Sequence, residues 1–183
     1  MSYAELHCLS NFSFLHGASH PHELVQRASE LGYRALALTD ECSVAGVVRA
    51  YEAARDQPLK LIVGSRFKLN DELVVILAPD RRAYGQLCTL ISHCRRQAKK
   101  GSYHIQWSDL STEQGPALDH CLLLYRPGST LSKARERMPW LSKQFPQRCW
   151  FMVERLLTPG DEERYQQCLS LIKELQLPAV CAN

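Results

Sequence analysis

Tyr33-Arg34-Ala35-Leu36-Ala37-Leu38-Thr39-Asp40-Glu41-Cys42-Ser43 is a short apolar run set between Gly32 and a pair of carboxylates. An apolar run without alternation is the pattern of a strand buried on both faces. Asp40 and Glu41 therefore fall where a buried strand gives way to a polar loop. In sheets of parallel strands this carboxyl end holds ligands and metals, because its loops are free to carry polar groups. Asp40 becomes the floor of a candidate site.

The flanking segments repeat that order. Tyr3 to Leu9 reads as a first strand running into Ser10-Asn11 and a loop that carries His16, His20 and His22. Ser19 is placed to cap the helix that follows, with Pro21 in its first turn and Leu24, Val25, Ala28 and Leu31 at helical spacing. Ser43 is placed to cap a second helix facing inward through Val44, Val47, Val48 and Tyr51. Leu59 to Val63 is a third strand that runs out into Gly64-Ser65-Arg66. Asn70-Asp71 turns the chain so that Leu73 to Ala78 returns as a hairpin partner.

Asp80 caps a long helix carrying Tyr84, Leu87, Cys88 and Ile91, which ends in Arg95-Arg96-Gln97-Ala98-Lys99-Lys100. Residues 102–120 read as irregular. Further strands fall at 121–125, 149–153 and 179–181. Pro139 is expected to break the helix between the first two. Thr158-Pro159-Gly160-Asp161 opens a last helix with Tyr165, Cys168, Leu169, Ile172 and Leu175 on one face. Alternation at this spacing implies βαβ units, so the strands near 3–8, 35–39, 60–63, 121–125 and 149–153 are expected to be parallel neighbours. The chain stops directly after a strand, which reads as a fragment with an unpaired edge at Ala179–Cys181.

With 183 residues, 45% apolar and 22% charged, the chain has the composition of one soluble domain. A net charge of +3 is too small to make nucleic-acid binding the default. No apolar run reaches membrane-spanning length and Met1-Ser2-Tyr3-Ala4-Glu5 is no signal peptide, so a cytoplasmic location with no membrane partner is expected. The eight cysteines form no C-x-x-C pair and read as free thiols and small core residues.

His7, Asp40 and the polar end of the third strand are candidates to converge at one rim as metal ligands. Each has a plainer reading: a lone histidine near a strand end is more often structural, and Asp40 suits a helix cap. The trio His16, His20 and His22 fits a solvated loop. The basic run with Arg95, Arg96, Lys99 and Lys100 complements a helix dipole without any partner, or else contacts DNA or a neighbouring protein domain.

Glu5 to Ala18, with Leu38-Thr39-Asp40-Glu41-Cys42-Ser43-Val44-Ala45-Gly46, Leu61-Ile62-Val63-Gly64-Ser65, Tyr84-Gly85-Gln86-Leu87 and Trp150 to Asn183, resembles the N-terminal polymerase-and-histidinol-phosphatase (PHP) domain of C-family bacterial DNA polymerases, most closely the error-prone branch. The resemblance implies an α/β fold, a distorted and here incomplete (β/α)7 PHP-type barrel. It implies that residues 1–183 are one such domain, truncated before its last metal motif, with the polymerase domains absent. Intact members hold divalent metals at the strand ends, where metal-activated hydroxide attacks a phosphoester.

The match to those ligands is partial. The two histidines of the family's first motif correspond to His7 and Leu9, its Asp-His pair to Asp40 and Glu41, and its bridging glutamate to Arg66, a permanent cation. His7, Asp40 and Glu41 are thus the candidate remnant of a cleft, with Leu9 and Arg66 at lost ligand positions. The expectation is a catalytically degenerate scaffold or docking module within an error-prone polymerase of translesion synthesis. No cofactor is then expected in this chain, and magnesium serves the parent polymerase. Partners would be other domains of that polymerase, DNA in the parent protein, and translesion or replication accessory proteins. The alternatives are a residual phosphoesterase or 3'-5' exonuclease using zinc, manganese or magnesium, and a DNA- or protein-binding module.

Overall fold

The computed structural model describes residues 3–182; Met1, Ser2 and Asn183, on which the leader and fragment readings turn, lie outside them. The apolar run is strand β2 (Ala35–Leu38), buried at every position. It lies between β1 (Ala4–Cys8) and β3 (Lys60–Leu69), parallel to both. The sheet continues through β4 (Glu72–Ala78), β5 (Leu122–Arg126), β6 (Cys149–Val153) and β7 (Ala179–Cys181), giving seven strands in sequence order.

Helices α1 (Pro21–Glu30), α2 (Val47–Ala54), α3 (Arg81–Arg96), α4 (Ser132–Gln144) and α5 (Asp161–Leu175) cover the outer face. Two outer clusters follow from this. Leu36 and Leu38 pack with Val25, Ala28 and Ala50 of α1 and α2. Phe67, Val74, Ile76, Leu123 and Phe151 pack with residues of α3, α4 and α5. The inner face holds a third cluster, in which Ala37, Leu73, Val75, Leu124 and Met152 meet Leu6 of β1 and Val180 of β7. A sheet whose edge strands share an inner cluster, although β1 and β7 are not paired, is a curled, incomplete α/β barrel.

Several expectations change. The strands at 60–63 and 121–125 are not neighbours: β4 lies between them and is antiparallel to both. The third strand also runs on through Gly64-Ser65-Arg66 to Leu69, because the ladder from Val63–Ala78 to Leu69–Glu72 extends it past the end of β2. Gly64 is required there, since a Cβ would lie 2.7 Å from the Leu77 side chain and 2.9 Å from the Ile76 carbonyl. The irregular stretch contains one 3-10 turn, Trp107–Leu110.

Helix boundaries shift for local reasons. α1 is capped by His20 with Glu23 reaching back to the cap amide, rather than by Ser19. α2 starts after Gly46, so Val48 and Tyr51 face solvent and Ala50 and Ala54 are buried. On α3 the buried stripe is Ala83, Leu87, Leu90 and Cys94, leaving Tyr84 exposed, while Asp80 caps as expected by accepting from the Ala83 amide at 2.8 Å. On α5 Leu171 is buried and Leu169 exposed. Pro139 lies inside α4 without ending it, because Ala134, Met138 and Leu141 on either side are buried in the core. All eight cysteines are free, most of them buried.

Candidate functional site

Strand register decides which side chains reach the carboxyl rim of the inner face. Arg66 pairs with Val75, Lys68 with Leu73, and Leu73 in turn with Arg126. Cross-strand partners share a face, and Val75 and Leu73 belong to the inner cluster. Arg66, Lys68 and Arg126 therefore all stand on the inner face, while Phe67 turns to the helices. An outward Arg66 is excluded.

The Arg66 guanidinium donates to one oxygen of Glu41 through both Nε (3.1 Å) and Nη2 (2.7 Å). Tyr103 donates to the other oxygen at 2.9 Å, and Lys68 Nζ lies 3.5 Å from the oxygen that Arg66 holds. Burial pushes the Glu41 carboxyl up, but the hydrogen bonds from Arg66 and Tyr103 and the charges of Arg66 and Lys68 outweigh it and hold the group below its ordinary range. The Tyr103 phenol is driven up, chiefly by burial and then by the Glu41 charge.

Asp40 does not reach this cleft. It is 1% exposed, accepting from the Ser10 amide (2.9 Å), the Ser10 hydroxyl (2.7 Å) and the Ser13 hydroxyl (2.7 Å). Nor is it a helix cap, since α2 begins at Gly46 without a side-chain cap. Its carboxylate fastens the loop after β1. That loop is so tight that a Cβ on Gly17 would lie 2.0 Å from the Ser10 carbonyl oxygen.

His7 bonds through Nδ1 to Glu154 Oε1 at 2.9 Å, and Arg126 Nε lies 3.2 Å from Glu154 Oε2. The other ring nitrogen of His7 is buried without a hydrogen-bond partner. His7, Leu9, Arg66, Lys68, Arg126 and Glu154 all line one cavity of about 620 Å³. The structure thus gathers His7, Leu9 and Arg66, keeps Glu41 at the cavity's margin through Arg66, and sets Asp40 apart. Glu154, Arg126, Lys68 and Tyr103 were not anticipated. Glu154 directly follows a strand that was, so the strand-end rule applied to Asp40 would have found it.

Metals of a phosphoesterase cleft do not fit these residues. Four basic side chains, Arg27, Arg66, Lys68 and Arg126, line the cavity together with Leu9; of its carboxylates, Glu154 is paired to Arg126, while Glu5 accepts from the Tyr3 hydroxyl and the His7 amide. Among the described residues no three His, Cys, Asp or Glu side chains stand together in a way that would hold a metal ion. The loop histidines do not converge either: His20 caps α1 and stacks on His22, whereas His16 lies beside Lys68.

In the basic run, Arg95 is committed internally. Its guanidinium donates to the carbonyls of Glu41, Cys42 and Ser102 and lies 5.6 Å from the centre of the Tyr103 ring. Arg96, Lys99 and Lys100 are exposed and make no side-chain hydrogen bond or ion pair among the described residues.

The geometry accords with three comparisons. A PHP domain profile matches residues 5–149. An error-prone DNA polymerase of Dechloromonas aromatica is 52% identical over 183 residues, 99% of this chain and 18% of that protein. One from Methylococcus capsulatus is 50% identical over 182 residues, 99% of this chain and 17% of that protein. The chain therefore spans under a fifth of the length of these curated relatives.

Among solved structures, an amidohydrolase of Chromobacterium violaceum, with bound sulfate and no metal, superposes at a TM-score of 0.66 with 14% identity, over all of this chain and 87% of the other. A Bifidobacterium adolescentis protein assigned as a metal-dependent phosphoesterase gives 0.64 with 15% identity, over 99% and 86%. These two likenesses are of fold. Because the profile covers most of the sequence, the chain belongs to the PHP domain family.

Proposed function

We propose that this chain is the N-terminal PHP domain of an error-prone DNA polymerase of damage-induced mutagenesis and translesion synthesis, and that it serves there as a scaffold or docking module without hydrolytic activity. The observation that carries the reading is the Arg66–Glu41 pair. Arg66 stands where the family resemblance calls for a metal-bridging carboxylate. Its charge answers the carboxylate that a metal would otherwise neutralise, so the rim is stabilised by an ion pair. Identity of 50% to 52% with error-prone polymerases over nearly the whole chain supports the parent assignment. Nucleotidyl transfer, with its magnesium, belongs to other domains of that parent, which are the first partners of this one.

The test is elemental analysis of the dialysed chain together with exonuclease and phosphoesterase assays in manganese, for the parent sequence and for Arg66→Glu. The unsubstituted 183-residue chain is expected to hold less than one equivalent of zinc, manganese or magnesium and to release no nucleotide. Arg66→Glu is expected to melt lower without metal and to regain part of that loss with manganese. Stoichiometric metal, or cleavage abolished by a chelator, would overturn the reading in favour of a residual phosphoesterase or exonuclease.

A further inference from the structure

Outside the inner cavity, a second groove of about 270 Å³ opens between the loop after β1 and the turn that follows α3. Phe12 and Phe14 from the first segment and Arg95, Gly101 and Tyr103 from the second are among the residues that line it. Phe14 is 83% exposed and Leu15 beside it 87%. Leu15 also holds a left-handed φ of 64°, which a bulky residue adopts only when its surroundings impose it. The loop is fastened by the Asp40 bonds to Ser10 and Ser13, together with the bond from the Glu41 amide to the Ser13 hydroxyl at 2.9 Å. The Phe14 ring is presented to solvent by a fastened loop.

The two segments that flank the groove carry charge of one sign. From Arg81 to Ser108 the chain has no Asp or Glu, and from Leu6 to His22 it has none either. Glu41, the acid lining the groove, is already held by Arg66. Arg96, Lys99 and Lys100 adjoin the lining residues Arg95 and Gly101 along the chain and are exposed, with no ion-pair partner among the described residues. An exposed aromatic face beside a track of uncommitted cations is the combination that holds unpaired bases and their phosphates. In a duplex the base faces are covered, and a purely acidic peptide such as polyglutamate has the charge without a ring to stack.

We propose that this groove binds single-stranded DNA, one base stacking on Phe14 while Arg96, Lys99 and Lys100 take the adjoining phosphates. The site is separate from the cavity of His7 and Arg66 and needs no metal. It therefore stands or falls independently of the scaffold reading.

The experiment is fluorescence anisotropy of a labelled oligothymidylate with the 183-residue chain in chelator, over a salt series. Phe14→Ala and Phe14→Leu are expected to weaken binding by about 5- to 150-fold, and Phe14→Tyr to restore it, because a stacked base is lost or regained. Lys99→Ala/Lys100→Ala is expected to lower the salt slope by about 1.4, the loss of two phosphate contacts on a single strand. Phe14 is exposed, so its variants should melt with the parent. Absence of binding at low salt, full affinity in folded Phe14→Leu, or displacement by polyglutamate as readily as by unlabelled oligothymidylate would each overturn the proposal. Cleavage of the oligonucleotide in a manganese arm would count against the scaffold reading and leave the groove intact.

Discussion

Glu41→Ala should cost about 3–5 kcal/mol of stability, because it leaves the Arg66 guanidinium buried without its counter-charge. Denaturant melts of parent and variant measure it. The pH dependence follows from the same pair. The Glu41 carboxyl titrates below its ordinary range in the folded chain, so its contribution is present above about pH 4.3, the unfolded value, and is lost as pH falls through the folded one. The melting temperature of the parent should drop on acidification through and below that range, and Glu41→Gln should show a shallower drop. Asp40→Ala removes the acceptor of three hydrogen bonds. It should cost about 3 kcal/mol or more and speed amide exchange at His16 and Gly17, whose bonds to the Ser13 carbonyl close the loop. That both acids end a buried strand could be read from Ala35–Leu38. Which partner each acid takes could not, since Ser10, Ser13, Arg66 and Tyr103 come from other segments.

α4 carries the plainest contradiction between local preference and structure. Pro139 donates no hydrogen bond and crowds the carbonyl one turn back, yet the helix runs from Ser132 to Gln144. Its buried side chains hold it: Ala134, Met138 and Leu141 pack on the core that β5 and β6 contribute to. Pro139→Ala should therefore raise stability by about 1–3 kcal/mol, read from thermal melts. An unchanged or lowered melting temperature would show that the ring is packed too well to lose. Helix existence was evident from spacing at α1, α2, α3 and α5, and at α4 only as two pieces broken at Pro139, while several helix ends and buried stripes were displaced. A cap such as His20 is selected by the Glu23 side chain three residues on, and a stripe such as Ala83, Leu87, Leu90 and Cys94 by the sheet that it covers.

Across the whole molecule, protection should follow position in the sheet. β4 lies at the centre of the strand order and is buried along nearly its entire length, whereas β7 is a short edge strand with exposed ends. Native-state hydrogen exchange should find the amides of Val74 to Leu77 opening only with global unfolding and those of β7 opening more easily. Equal protection in both would contradict this. Sequence alone carried the alternation of strands and helices, the parallel β1–β2–β3 set, the hairpin return of β4, the free thiols and the family, because these depend on local periodicity, turn residues and motif order. Tertiary structure alone decided that β4 separates β3 from β5, that Arg66 turns inward onto Glu41, that Asp40 ties down a loop, and that Phe14 stands exposed at a groove shared with Arg95 and Gly101. The physical reason is register: a strand's side chains alternate between faces, so one residue of offset exchanges core for cleft. That offset is set by pairing with strands far away in the chain.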